Sequence, residues 1–294
     1  MIGRSLLPVL ALWAAFVAGP AAANVFSADG VDPRQAFADG AGDVVVAPVG
    51  AVKTLGQVPF RDGRMAFTTG AGFAVSPCLV LTNFHAVFGA TSAVAFPPPT
   101  VLVKLWTATG TPLSSEAIPI AWGGLEVAGR DDWALLKMTD CLAGRPDMGW
   151  FELGRLDGAD LAGEMLDTAG YAVDLQARFL QRGCRIRAVN TDDKALNDCA
   201  NRGGSSGSPI FRLADGVGEV LAIQRGELNR ADPVLPSYTE DTANTAVLVE
   251  RILAREDVRR AIDEDVAAYG AENPLRRAIR PMAAAPSPAV AGGF

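Results

Sequence analysis

Histidine is almost absent from this 294-residue chain, since His85 is the only one. A single imidazole excludes sites built from two or more histidines, such as a three-histidine zinc site or an H-E-x-x-H helix. We therefore expect no metal, and any imidazole base must be His85.

Lysine is scarce, and the basic residues nowhere form a run. None of the four lysines follows a glycine, so the chain has no P-loop, and it contains no G-x-G-x-x-G sequence. Neither a nucleotide nor another cofactor is expected. Lys and Arg total 26 against 33 acidic residues, for a net charge of −7. The chain thus lacks the electrostatic signature of a nucleic-acid-binding protein.

No apolar stretch in the chain is long enough to span a membrane as a helix. The longest apolar stretch lies at the N-terminus. Arg4, the apolar stretch Leu6–Val17 and the small residues Ala21–Ala23 match a signal peptide over residues 1–23, cleaved before Asn24. The stretch is too short for a membrane-spanning helix, and Pro8 interrupts it. We expect a secreted or periplasmic protein that is monomeric and free of the membrane after cleavage.

The expected export predicts that the four cysteines form disulfides, because oxidising compartments favour them. Cys184 and Cys199 lie 15 residues apart, and Cys78 and Cys141 would form the second pair. Four cysteines allow three connectivities, and the sequence alone does not choose among them. The chain has no Cys-x-x-Cys motif, which disfavours a thioredoxin-like or metal site.

Short apolar runs separated by Gly, Pro and Ser characterise the chain from residue 44 onward. Each run has the length of one strand, and little helical text lies between them, which is typical of an all-β barrel or sandwich. Between Lys104 and Gly129 we expect mostly loop, with at most one weak strand. Residues 24–45 are rich in Gly, Ala and Asp and are expected to form an irregular N-terminal arm or a propeptide.

The C-terminal part has a different pattern. Leu248, Ile252, Ile262 and Val266 recur at near-helical spacing among charged residues, which predicts a helix over 247–270, with a break near residues 255–257. The Pro- and Ala-rich text of 271–294 is typical of a disordered tail.

A serine-rich loop is the most conspicuous chemical feature. Gly203-Gly204-Ser205-Ser206-Gly207-Ser208-Pro209 offers flexible backbone and several hydroxyl groups. A serine hydroxyl needs an adjacent base to act as a nucleophile, and only His85 supplies an imidazole. Asp132 is the best candidate to orient that imidazole, and Asp131 is a rival.

The same loop also matches G-x-S-x-G, the nucleophile elbow of α/β-hydrolases, with Ser205 as the nucleophile. That fold places its histidine after the serine, whereas His85 precedes the loop by about 120 residues. The order His85, Asp132, Ser206 is that of the chymotrypsin-like triad. The elbow interpretation is therefore rejected.

Three motifs in this order resemble chymotrypsin-like serine proteases, most closely the bacterial V8-like glutamyl endopeptidases. The motifs are Leu81-Thr82-Asn83-Phe84-His85-Ala86-Val87, Asp132-Trp133-Ala134-Leu135-Leu136 and Gly204-Ser205-Ser206-Gly207-Ser208-Pro209. The resemblance covers roughly residues 45–250. It implies two six-stranded antiparallel β-barrels, over 46–145 and 146–246, followed by the C-terminal helix.

The resemblance also implies the roles of individual residues. Ser206 would be the nucleophile, His85 the general base and Asp132 the residue that orients His85. The backbone N–H groups of Gly204 and Ser206 would form the oxyanion hole. Gln224, Arg225 and Gly226 would contact a protein or peptide substrate, with residues 225–227 pairing with its backbone as an added strand.

The sequence departs from the family where specificity is set. V8-like enzymes carry a histidine at the position of Gln224, and trypsin-like enzymes carry an aspartate at the position of Ala200. Arg225 could attract an acidic group of a substrate and Glu227 a basic one, but both are expected to be solvated charges at the rim of the cleft. The cleavage preference thus stays open. An exported serine endopeptidase is the predicted function, and the alternatives are a catalytically silent binding module and an esterase.

Overall fold

The structure is a computed structural model that describes residues 24–43, 45–60, 62–91, 97–126, 129–145, 147–156, 163–214, 216–229, 234–269 and 273–274. The expected signal peptide and nearly all of the expected tail lie outside the described residues. No helix of the described part is long and apolar enough to cross a membrane.

Strands dominate the fold. They are β1 Gln35–Phe37, β2 Val49–Thr54, β3 Val58–Pro59, β4 Met65–Ala66, β5 Thr69–Ala74, β6 Leu79–Thr82, β7 Val101–Trp106, β8 Pro112–Trp122, β9 Ala134–Met138, β10 Glu152–Leu153, β11 Leu166–Ala172, β12 Ala177–Cys184, β13 Ile186–Val189, β14 Lys194–Asn197, β15 Pro209–Ala214, β16 Val217–Glu227 and β17 Asn244–Leu248. The helices are α1 His85–Phe88, α2 Val249–Leu253 and α3 Glu256–Ala268. The expected all-β fold class is confirmed.

The first half of the chain forms a closed six-stranded barrel in the order β2-β5-β6-β9-β8-β7, with antiparallel pairing throughout. Its interior is filled by apolar side chains such as Val52, Val80 and Leu136, each fully buried. Inward and outward positions alternate along each strand, so the apolar text of these short runs specifies this core.

Strand β8 lies where the sequence predicted mostly loop. Its 11 residues include Pro112 and Pro119, and proline is uncommon inside strands. Pro112 opens the strand, and Pro119 adjoins a register shift in the pairing with β9. Exposed and buried positions alternate along most of β8. The strand pairs with β7 and β9 and so completes the barrel despite both prolines.

The second half of the chain forms a nine-stranded sheet along the path β1-β12-β11-β15-β16-β17-β14-β13, with β10 beside β16. Strands β12 and β13 are separated only by Arg185 and lie near opposite ends of this path. The sheet therefore curves back onto one bent strand, which fits the second barrel implied by the family resemblance.

The C-terminal region contains two helices, α2 and α3, separated at residues 254–255, close to the predicted break. Residues 247–248, predicted as helical, belong to the fully buried strand β17, where Leu248 pairs with Ala222. Helix α3 is fixed to the first barrel by Asp265, which accepts hydrogen bonds from Ser76 Oγ (2.7 Å) and the Cys78 N–H (2.8 Å) and forms an ion pair with Lys137.

The N-terminal arm is not wholly irregular, since β1 pairs with β12. Arg178 on β12 lies beneath the arm and donates to the carbonyls of Ala41 (2.8 Å) and Val46 (3.3 Å). Burial lowers the pKa of Arg178 to about 10, and Asp39 and Asp43 oppose that shift. The arm thus contributes to the fold of both halves.

Two disulfides join the four cysteines, and their pairing is one of the three connectivities that the sequence left open. Cys78–Cys141 closes a sequence separation of 63 residues, and Cys184–Cys199 one of 15. The first disulfide lies beside Asp265 and α3, and the second lies in the wall that leads to the serine loop.

Candidate active site

His85 and Asp132 are brought together by one strand pair of the first barrel. Antiparallel pairing of β6 with β9 places Thr82 opposite Ala134. His85 follows the end of β6, and Asp132 precedes the start of β9, so both lie at the same edge of the barrel. The His85 Nδ1 atom is 2.7 Å from Asp132 Oδ2, and the His85 backbone N–H donates to Asp132 Oδ1 at 2.9 Å.

Asp132 is completely buried, yet it is well supplied with donors. Burial acts to raise the pKa of this carboxyl, but His85 and then Arg225 outweigh it and hold the pKa of Asp132 below its usual value. The Asn83 side-chain amide donates to the Asp132 carbonyl at 2.7 Å, which fixes the backbone. A carboxylate held in this way can orient one tautomer of the imidazole.

The rival Asp131 points elsewhere. Its carboxylate accepts a hydrogen bond of 3.1 Å from Arg251 Nε on helix α2 and lies 3.6 Å from Arg130 Nε. Its side chain is 38% exposed, whereas that of Asp132 is inaccessible. Only Asp132 of the two contacts His85 in the described structure.

The serine loop begins after Cys199 and ends at β15. It packs against β5 of the first barrel, where the Ala71 N–H donates to the Ser206 carbonyl at 2.7 Å. Gly207 has φ +95°, a left-handed conformation that favours glycine, and its Cα faces the Ala71 carbonyl too closely to admit a Cβ atom. The loop is thereby held at the barrel edge that carries His85.

The three serines of the loop differ in exposure. Ser205 and Ser208 are fully buried, and Ser205 Oγ accepts a hydrogen bond from the Arg202 N–H. Ser206 is partly exposed, and its hydroxyl donates to the Arg225 carbonyl at 3.1 Å. Among the described residues, His85 and Ser206 share no hydrogen bond in this conformation.

The backbone before Ser206 carries two N–H groups that have no other partner among the described residues. The Gly203 carbonyl accepts a hydrogen bond of 2.8 Å from the Val173 N–H. Because a trans peptide places its C=O and N–H in opposite directions, the Gly204 N–H points away from Val173. Gly204 has φ +89°, and neither its N–H nor that of Ser206 is hydrogen-bonded to another described residue. Both donors are therefore available to an oxygen atom.

The predicted substrate-contacting residues lie on β16 beside this loop. Gln224 is fully buried, and its amide donates to Asn197 Oδ1 (3.1 Å) and the Cys199 carbonyl (3.2 Å). The Gly226 carbonyl accepts a hydrogen bond of 3.2 Å from the Asn201 side chain. The Arg225 side chain turns back toward Asp132, so it is not a solvated rim charge.

Sequence reasoning missed two contributors to this region. Arg225 Nε donates to Asp132 Oδ2 at 3.0 Å, although 93 residues separate them. Asn24 is fully buried, and its carbonyl accepts a hydrogen bond of 3.0 Å from the Asn201 N–H. No local signal could reveal either contact, because each joins distant parts of the chain.

The described residues contain no group of three or more His, Cys, Asp or Glu side chains suited to a metal ion.

This fold and this arrangement of residues define the class of trypsin-like peptidases. The family model of the trypsin-like peptidase domain matches residues 70–223, more than half of the 294 residues. The chain therefore belongs to that family, and the resemblance inferred from its motifs is confirmed.

Two solved structures are similar to this chain at low sequence identity. A Glu endopeptidase in complex with MPD is 15% identical, with a TM-score of 0.56 over 80% of this chain and 98% of that one. The crystal structure of Deg5 is 16% identical, with a TM-score of 0.46 over 71% of this chain and 87% of that one. A search among curated protein sequences finds no match.

Proposed function

We propose that this protein is an exported serine endopeptidase that hydrolyses peptide bonds through an acyl-enzyme. The observation that carries the proposal is the 2.7 Å contact between His85 Nδ1 and the fully buried Asp132. The serine loop packs against the same barrel edge, with Ser206 as its one partly exposed serine.

In the proposed reaction, Ser206 Oγ attacks the scissile carbonyl, and His85 Nε2 accepts its proton. The proton then passes to the leaving amine, and water later releases the acyl group by the same route. The Ser206 hydroxyl must first turn from the Arg225 carbonyl toward the His85 ring. A rotation of the serine side chain about χ1, between staggered wells, would make this change.

The oxyanion of the tetrahedral intermediate would be held by the N–H groups of Gly204 and Ser206. Their lack of other partners among the described residues supports this role. Such donors contribute about 10²–10³ in turnover when they are aimed at the developing charge. The Gly203–Val173 hydrogen bond would keep them aimed.

A peptide substrate would lie along β16, next to the serine loop. Residues 225–227 would pair with its backbone as an added strand, and Gln224 would form part of the pocket beneath. Export to the periplasm or cell exterior is proposed from the N-terminal sequence pattern, and the two disulfides support it.

A catalytically silent module is the second candidate, favoured by one observation. The Ser206 hydroxyl is engaged by the Arg225 carbonyl rather than by His85. A module of this kind would bind peptides without cleaving them.

Labelling with a fluorophosphonate probe tests the proposal. The wild-type protein should react at Ser206, and Ser206→Ala and His85→Ala should each abolish labelling. Ser205→Ala is the matched control, because Ser205 is buried and adjacent in sequence. Unlabelled wild-type protein should also cleave a peptide library, and prior labelling should block that cleavage.

Three outcomes would overturn the proposal. Labelling that survives Ser206→Ala would move the nucleophile elsewhere. A folded wild-type protein that neither reacts nor cleaves would be the silent module. Turnover of lipid esters without any peptide cleavage would indicate an esterase.

A further inference from the structure

Arg225 contacts two of the three proposed catalytic residues. Its carbonyl accepts the Ser206 hydroxyl at 3.1 Å, and its Nε donates to Asp132 Oδ2 at 3.0 Å. The Arg225 side chain is only 22% exposed, and Asp132 is inaccessible. An ion pair that is shielded on one side in this way is screened much less than a surface pair.

Gly129 makes room for this guanidinium. A Cβ atom at position 129 would lie 2.5 Å from Arg225 Nη2 and 2.7 Å from its Cζ. Gly129 also has φ +74°, where a side chain is strained. The loop before Asp132 thus carries a glycine at a position where a larger residue would displace Arg225.

The Asp132 carboxylate receives three donors in the described structure. Oδ1 accepts the His85 backbone N–H, and Oδ2 accepts both His85 Nδ1 and Arg225 Nε. Oδ2 is therefore shared between a titratable ring and a permanent cation. An arginine side chain stays protonated across the pH range in which histidine titrates.

The other charged groups near the site are occupied with one another. Asp131 pairs with Arg251 and Arg130, and both arginines also face Asp193. On β16 itself, Glu227 lies two residues beyond Arg225 and has interactions of its own. Among the described residues, Arg225 is the only arginine or lysine that contacts the Asp132 carboxylate.

We propose that Arg225 is a positioning residue that holds Asp132 for His85 and, through its fixed charge, extends activity toward acidic pH. This inference rests on the proposed function. His85 must be neutral to accept the Ser206 proton. Because Arg225 neutralises part of the Asp132 charge and repels a protonated ring, it disfavours the imidazolium form.

The sign of the expected effect follows directly. Removal of the guanidinium leaves Asp132 free to stabilise the imidazolium, so the acidic limb of the activity profile should move to higher pH. We expect a shift of about one pH unit, at the lower end for a neighbouring charge because Arg225 is partly solvated. At pH values below the limb, that shift is about a tenfold loss of activity.

The test measures fluorophosphonate labelling rates and kcat/KM between pH 4 and 9 (roughly the range in which histidine titrates) for the full-length mature protein. Arg225→Gln should move the acidic limb upward, and Arg225→Lys should restore most of its position, because the charge is kept. Gly129→Ala should shift the limb in the same direction as Arg225→Gln. Circular dichroism checks that each variant is folded.

Arg251→Gln is the matched control, since Arg251 is equally half-buried but pairs with Asp131 and Asp193. The acidic limb of the activity profile of Arg251→Gln should lie at the same pH as that of the wild-type protein. An Arg225→Gln variant that is folded and slower but has an unmoved limb would overturn the charge role and leave a structural one. A wild-type protein without any labelling would instead overturn the proposed function, so the two failures are distinguishable.

Discussion

The Ser206 carbonyl accepts a hydrogen bond of 2.7 Å from the backbone N–H of Ala71. Ala71 lies on β5 in the first barrel, and Ser206 lies in the loop before β15. This one contact ties the proposed nucleophile to the barrel that carries His85 and Asp132. The relative position of the triad residues therefore depends on close approach at β5.

Gly70→Ala should disturb that approach. A Cβ atom at position 70 would lie 2.9 Å from both the Ser206 carbonyl oxygen and the Ala86 Cβ. We expect activity to fall by about 10²-fold, because displacements near 1 Å are costly in catalysis. Unfolding free energy should fall by about 1–3 kcal/mol, as for other overpacked sites. Gly56→Ala is the control, because nothing lies within 4 Å of its Cβ position.

Equal activity of Gly70→Ala and Gly56→Ala would show that the loop accommodates the added methyl group. Kinetics with a peptide substrate and denaturant melts of both variants separate the effect on activity from that on stability.

The two disulfides should differ in what their loss affects. In the chain-entropy model, the 63-residue separation of Cys78–Cys141 is worth about 4 kcal/mol and the 15-residue separation of Cys184–Cys199 about 3 kcal/mol. The double variant Cys78→Ala/Cys141→Ala should thus lose more stability. The variant Cys184→Ala/Cys199→Ala should lose more activity, because the Cys199 carbonyl accepts hydrogen bonds from Gln224 and Asn244. Thermal melts and peptide kinetics check both, and the reverse order would contradict the assignment.

Asp265→Ala should release helix α3 from the first barrel. The carboxylate is 2% exposed, and it accepts hydrogen bonds from Ser76 and the Cys78 N–H besides its ion pair with Lys137. Loss of these bonds leaves buried donors unpaired, at a cost of about 2–3 kcal/mol of unfolding free energy. Glu264→Ala provides the comparison, since its side chain is 71% exposed. Similar midpoints in urea for the two variants would argue against the anchor.

The exported protein should begin at Asn24 and retain the N-terminal arm. The Asn24 side chain donates to the carbonyls of Asn229 and Thr242 at 2.8 Å each. Its carbonyl is bonded to the N–H of Asn201, five residues before Ser206. Deletion of residues 24–27 should therefore reduce activity several-fold. N-terminal sequencing of the active form is the measurement, and an active species beginning after residue 45 would make the arm a propeptide.

The sequence by itself determined the family and the fold class. Three short motifs in the order His85, Asp132, Ser206 were enough to predict the family, because each motif is local and its residues are contiguous. Apolar runs of strand length were enough to predict the all-β fold class, since inward and outward positions alternate along a strand. For strand β8 the sequence indicated no more than one weak strand, because its two prolines weaken the strand signal that packing restores.

Only the tertiary structure decided which groups meet. It separated Asp132 from Asp131, whose neighbouring side chains point to different partners. It placed Arg225 on Asp132 and Asn24 beside Asn201, contacts that join residues 93 or more positions apart. The alternation of residues along a strand predicts which face of the sheet a side chain occupies. The residue that this side chain contacts on the other sheet depends on how the two sheets pack together. That docking is fixed by long-range contacts, such as Ala71 with Ser206, that no local pattern records.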